Sequence, residues 1–189
     1  MAKVFGLRSG QNGTKNINMK IPTSGTTPVN AVASQGVLTI GAQVTADNTM
    51  TIGDVVYTFK AGATAAAGEI GIGADVAACR LAIVAAINGT DTKNDANPYV
   101  SASAFSTADC TLTARVKGVS GDAIATTETF TSASNEFDGD TLGTETAGVN
   151  GTIGDGGDCY IDDSYLYYAI KDNRIIDTNW RRISLGSAY

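Results

Sequence analysis

The chain has 189 residues, with 13 Lys and Arg against 19 Asp and Glu, no histidine and a formal charge of −6. Without histidine it lacks the usual general base at neutral pH, the Ser-His and Cys-His nucleophile pairs and the commonest zinc ligand. No catalytic residue is therefore assigned, and neither a cofactor nor a metal is expected. Charged residues make up only 17% and glycine is abundant, a composition that suits a β-rich assembly protein better than a helical enzyme.

The N-terminal MAKVFGLRSGQNG has no apolar core of a secretory signal, and no stretch reaches the roughly eighteen apolar residues of a membrane span. Synthesis in the cytoplasm and no membrane partner are the expectations. Charge divides the chain at Asp47, with +4 before it and −10 from it onward. Residues 1–35 carry isolated apolar positions among Gly, Asn, Ser, Thr and Pro. Alone they bury too little surface to offset their ordering entropy. Their spaced anchors favour an extended arm that orders on a partner over a frayed tail, with INMKI supplying an added strand. The docking residues are Lys3, Phe5, Arg8, Lys15, Ile17, Met19, Lys20 and Ile21. Four spread cations without interleaved aromatics argue against nucleic acid.

GVLTIGAQV (36–44) and NTMTIGDVVYTFKAG (48–62) alternate as strands, with Gly53-Asp54 as a turn inside the second. Residues 61–73 read as a loop. ADVAACRLAIVAAING (74–89) predicts the one helix, over 74–88, with Val76, Leu81, Val84 and Ile87 on its apolar stripe and Asn88-Gly89 as its stop. YVSASAF (99–105), CTLTARVKG (110–118) and AIATTETF (123–130) read as strands, and residues 134–152 as an acidic, glycine-rich loop. Cys79, Cys110 and Cys159, an odd number with no CxxC, read as reduced thiols.

At the C-terminal end, CYI (159–161), SYLYYAI (164–170) and NWRRISL (179–185) predict a small antiparallel β-module. Six of the thirteen aromatic residues fall within residues 160–189. So small a unit cannot build an aliphatic core, and rings, each burying about 150–250 Å², compensate. Tyr165, Tyr167 and Ala169 share one face, and Leu166, Tyr168 and Ile170 the other. Rings on both faces point to a subunit contact through Tyr165, Tyr167, Tyr168 and Trp180. Asp155, Asp158, Asp162 and Asp163 invite a calcium reading, but turn formation accounts for them better. Glu136, Asp138, Asp140 and Glu145 read as a solvated loop.

TMTIGDVVYTF, EIGIGADVAACRLAIVAAING, VSASAF and CTLTARVKGVSGDAIATTETF together resemble a module of tailed-bacteriophage structural proteins, over roughly residues 48–148. The family pattern has Asn where Asp122 stands here. GTIGDGGDCYIDDSYLYYAIKDNRIIDTNWRRISL (151–185) resembles the short C-terminal element of phage head-fibre and other appendage proteins. The matches are Gly154-Asp155, Asp158, Asp163 to Tyr167 and Trp180 to Leu185, with KDNRIIDTN as an insertion. The resemblance implies a virion structural protein, with a capsid decoration or cement protein docked by its arm as the first reading. Its partner is the major capsid protein or another virion protein, and it self-associates as a homotrimer. A tail-tube, neck or fibre component is the alternative within the virion. A carbohydrate-binding adhesin using Tyr165, Tyr167 and Trp180 is the alternative of another class. The expected fold is α+β and mainly β: an extended arm over 1–41, an antiparallel sheet packed by one helix over 42–150, and the aromatic β-module over 151–189.

Overall fold

A computed structural model describes residues 27–62 and 66–186. The fold is α+β and mainly β, with eleven strands, one α-helix and one 3₁₀ turn among the described residues. It divides into two compact units. Ala33–Gly148 is the body. Val149–Tyr189 forms the terminal unit together with the segment that ends at Val32.

The body holds two four-stranded sheets. One has β5 (Val100–Ala102), β6 (Asp109–Ala114), β1 (Gln35–Ile40) and β8 (Asn135–Phe137) side by side, all antiparallel. The other has β4 (Glu69–Gly71), β3 (Val55–Lys60), β2 (Thr49–Ile52) and β7 (Thr126–Glu128), with β3 and β4 parallel. Alternation at period two sends Leu38, Ile40, Met50, Ile52, Tyr57, Phe59 and Leu112 into one shared core, each at most 1% exposed. Each such side chain contributes about 1.5–3 kcal/mol of transfer free energy. Gly53 at φ 67° closes the tight β2–β3 hairpin, because a left-handed first turn residue matches the strand twist.

The helix α1 spans Val76–Asn88. Asp75 caps it, accepting from the Ala78 amide at 2.8 Å. Gly89 ends it in the left-handed region at φ 68°. The helix packs against β4 of one sheet and β5 of the other. Its buried stripe is Cys79, Ile83, Ala86 and Ile87, whereas Leu81 is 74% exposed. The expected stripe through Leu81 is thus corrected. The segment is apolar nearly all round, so its periodicity does not define which side faces the core.

Three boundaries also differ. Residues 27–41 are not an arm: β1 sits between β6 and β8, and Ala31 and Val32 hydrogen-bond to Asp177 and Val149 of the terminal unit. β4 lies inside the expected 61–73 loop, and β8 inside the 134–152 loop. Both have three residues, too short for a periodic signal; β4 is held by parallel pairing with β3, and β8 by pairing with distant β1. The expected pair of strands 36–44 and 48–62 belongs to two different sheets. Among the described residues no helix is long and apolar enough to cross a membrane.

Gly89 has no room for a side chain. A Cβ there would lie 2.4 Å from the Ala96 amide nitrogen, in a conformation that already disfavours L residues. Gly89→Ala is expected to lower the unfolding free energy by about 3 kcal/mol, summing strain and overpacking. Urea titration checks it, and a loss near zero would contradict the helix stop.

Candidate functional site

The terminal unit is a three-stranded antiparallel sheet in the order β11 (Trp180–Ser184), β10 (Tyr165–Ala169), β9 (Cys159–Ile161). Register places Tyr160, Tyr165, Tyr167, Ala169, Trp180 and Arg182 on one face, and Ile161, Leu166, Tyr168, Arg181 and Ile183 on the other. The first face is the interior. Tyr167 is 6% exposed and Trp180 3%. Tyr160 meets Trp180 edge-on with centroids 5.1 Å apart, and Tyr165 meets Tyr167 at 5.9 Å. The indole N–H of Trp180 donates to the Thr152 carbonyl at 2.7 Å. Trp180 lies so close over Gly154 that a Cβ there would come within 2.5 Å of the ring.

Two asparagines complete this core. Buried Asn173 donates through Nδ2 to the Thr152 carbonyl at 2.6 Å and accepts the Asn179 amide at 2.7 Å. Asn30, far away in sequence, accepts the Trp180 amide at 3.0 Å and donates to the Trp180 carbonyl at 3.1 Å. A side-chain amide thus bonds the β11 edge as a neighbouring strand would. Ala169 exchanges its backbone bonds on the β9 side, with Asp158 and Gly157, and Ile170 bonds Asn179. Trp180, Arg182 and Ser184 therefore turn their N–H and C=O groups away from β10. Asn30 takes those of Trp180. Among the described residues no backbone partner takes those of Arg182 or Ser184, and residues 181–186 are all exposed.

The electrostatics are local. Arg182 stands 4.5 Å above the Tyr165 ring centroid. Asp162 accepts the Ser164 and Tyr165 amides, which hold its carboxyl below the usual range with help from Tyr167 and Arg182. Burial raises the Tyr167 hydroxyl, and its hydrogen bond to Asp162 adds to this. Arg181 bonds the carbonyls of Thr178 and Trp180 at 2.7 and 2.9 Å. A groove of about 480 Å³ is lined by Thr27–Asn30, Tyr167, Trp180, Arg181 and Arg182.

Of the residues singled out from sequence, Lys3, Phe5, Arg8, Lys15, Ile17, Met19, Lys20 and Ile21 lie outside the described residues. Tyr165, Tyr167 and Trp180 are brought together, with Tyr168 on the opposite face. Tyr167 and Trp180 belong to the module's own interior, which corrects both their expected place at a subunit contact and the sugar platform that needed them exposed. Tyr165 and Tyr168 remain half-exposed. The acidic loops form turns: Asp158 accepts the Asp155 amide, Asp172 the Gly156 amide, and Asp138 the Thr144 hydroxyl. Among the described residues no group of three or more His, Cys, Asp or Glu could hold a metal ion. Sequence reading missed Glu128 near Glu136 and Asp140; burial, then repulsion by both, raises its carboxyl. It also missed Asn30, which sits in TPVNAV with nothing to mark it. Set against known families, curated proteins and solved structures, the chain matches none.

The three cysteines are free. Burial pushes the Cys79 and Cys110 thiols up to about 11. At about pH 8 only about one thousandth of each is thiolate. Cys159 is half-exposed, with its thiol raised less, by partial burial and Asp158. A disulfide-exchange dye should therefore label one thiol quickly, at Cys159, and the other two only on unfolding. Equal labelling of all three in the native protein would contradict the burial.

Proposed function

We propose that the chain is a structural protein of a tailed-bacteriophage virion, a capsid decoration or cement protein that docks on the head through its N-terminal arm. The reading rests on the resemblance of residues 48–148 and 151–185 to virion and appendage modules. One observation favours arm docking within it. Asn30 bonds the backbone of Trp180, so residues 1–26, with four basic side chains and no acidic one, precede in sequence a segment that belongs to the aromatic module. A basic sequence with spaced apolar anchors joined to a small folded unit suits a docking arm. The partner is the major capsid protein or another virion protein. Self-association as a homotrimer belongs to the same proposal, with half-exposed Tyr165 and Tyr168 available to the contact.

Particles assembled with a chain that begins at residue 27 should lack the protein on their heads, while the shortened chain still buries Trp180 by its emission spectrum. Normal incorporation of that chain would overturn arm docking. Recovery of the full-length protein with tails would favour the tail-tube, neck or fibre assignment instead.

A further inference from the structure

The edge of β11 beyond Trp180, unpartnered among the described residues, carries an inference that stands whether or not the chain belongs to a virion. Exposed sheet edges are templates for another strand, and proteins usually cover or blunt them. Here the device that covers edges stops after one rung. Asn88 bonds the Ala102 amide and carbonyl on β5 at 3.0 and 2.9 Å. Asn94 bonds Gly68 and Glu69 beside β4 at 2.7 and 3.0 Å. Asn30 does the same for Trp180, but among the described residues no side chain does so for the next outward rungs, Arg182 and Ser184. We infer that the outer edge of β11 is a strand-addition site for an extended segment of a partner protein carrying an apolar residue and, two positions later, an Asp or Glu.

The chemistry of that segment follows from cross-strand register. An antiparallel strand bonded to the backbone of Arg182 sets its flanking residues opposite Ile183 and then Arg181, on the outer face. Ile161, Leu166 and Ile183 form an apolar row across the three strands of that face, and Ile183 at its end is 53% exposed. An apolar residue opposite Ile183 extends the row. Arg181 bonds only carbonyl oxygens among the described residues, so its charge meets no carboxylate. An acid opposite Arg181 supplies one. Arg182, by contrast, is already committed to Tyr165 and Asp162. The chain's own residues 1–26 contain no acid, so the arm cannot provide this pattern, and charge complementarity points away from it.

The test uses the full chain and two synthetic hexapeptides, Thr-Thr-Val-Thr-Glu-Thr and its counterpart with Lys for Glu. Amide exchange at Arg182 and Ser184 is followed by NMR. The Glu peptide should slow exchange at both amides and bind more tightly than the Lys peptide by about fivefold, the scale of a cross-strand charge pair. Arg181→Glu should reverse that preference. Ile183→Thr, which leaves the charges in place, should weaken the Glu peptide by about threefold. Trp180 emission verifies that both variants fold. No protection by either peptide, or equal protection by both, would overturn the inference and leave the arginines as guards of a blunted edge. Stronger protection by a peptide of residues 15–23 would overturn it in favour of the arm.

Discussion

The interaction on which this structure depends is an asparagine side chain standing in for backbone. A side-chain amide offers an acceptor oxygen beside an NH2 donor, so it can bond both the N–H and the C=O of a strand edge without a further strand. Asn97 does this at the centre of the body. It accepts the Tyr99 and Val100 amides at 2.9 and 3.1 Å while its Nδ2 reaches the Tyr57 hydroxyl at 3.3 Å. Asn135 accepts the Ala42 amide, and Asn173 ties two loops under Trp180. Buried polar groups cost free energy unless bonded. Among the described residues no buried side-chain nitrogen or oxygen is left without a partner. The three-residue strands β4 and β5 have part of their backbone bonded by Asn94 and Asn88 in this way.

The terminal unit is discontinuous in sequence. Its three strands come from the end of the chain, yet Trp180 is held by Asn30, Asp177 by Ala31, and Val149 by Val32. The whole body is inserted in sequence between the two parts. Closing so long a loop costs entropy only logarithmically in its length, and a Tyr–Trp core with few aliphatic residues supplies the contacts that hold it. Residues 27–32 thus belong to the aromatic unit although the body follows them in sequence.

Much of this was legible in the sequence. TMTIGDVVYTF alternates cleanly, and its hairpin turns at Gly53-Asp54 as the residues require. CYI, SYLYYAI and NWRRISL form the strands their alternation predicts, with Tyr165, Tyr167 and Ala169 on the buried face. What escaped was long-range. β8 is NEF in a run of acids and glycines, and only pairing with Leu38 and Ile40 makes it a strand. Leu81 looked like core because α1 is apolar on every side. The rings of Tyr167 and Trp180 read as a subunit contact because the second wall of their core, Thr152, Gly154, Asn173 and Asn30, comes from residues with no hydrophobic pattern. For the same reason the sequence predicts an arm up to residue 41, whereas residues 27–32 belong to one unit and β1 threads the other.

Because Trp180 is the chain's single tryptophan, its fluorescence reports the terminal unit alone. Urea unfolding followed at Trp180 in Asn30→Ala therefore tests the account most directly. Loss of both bonds to the Trp180 backbone should lower the stability of that unit by about 2 kcal/mol, with its emission shifting red at lower urea. A midpoint unchanged from the parent, within about 0.5 kcal/mol, would contradict the claim that side-chain amides hold these edges.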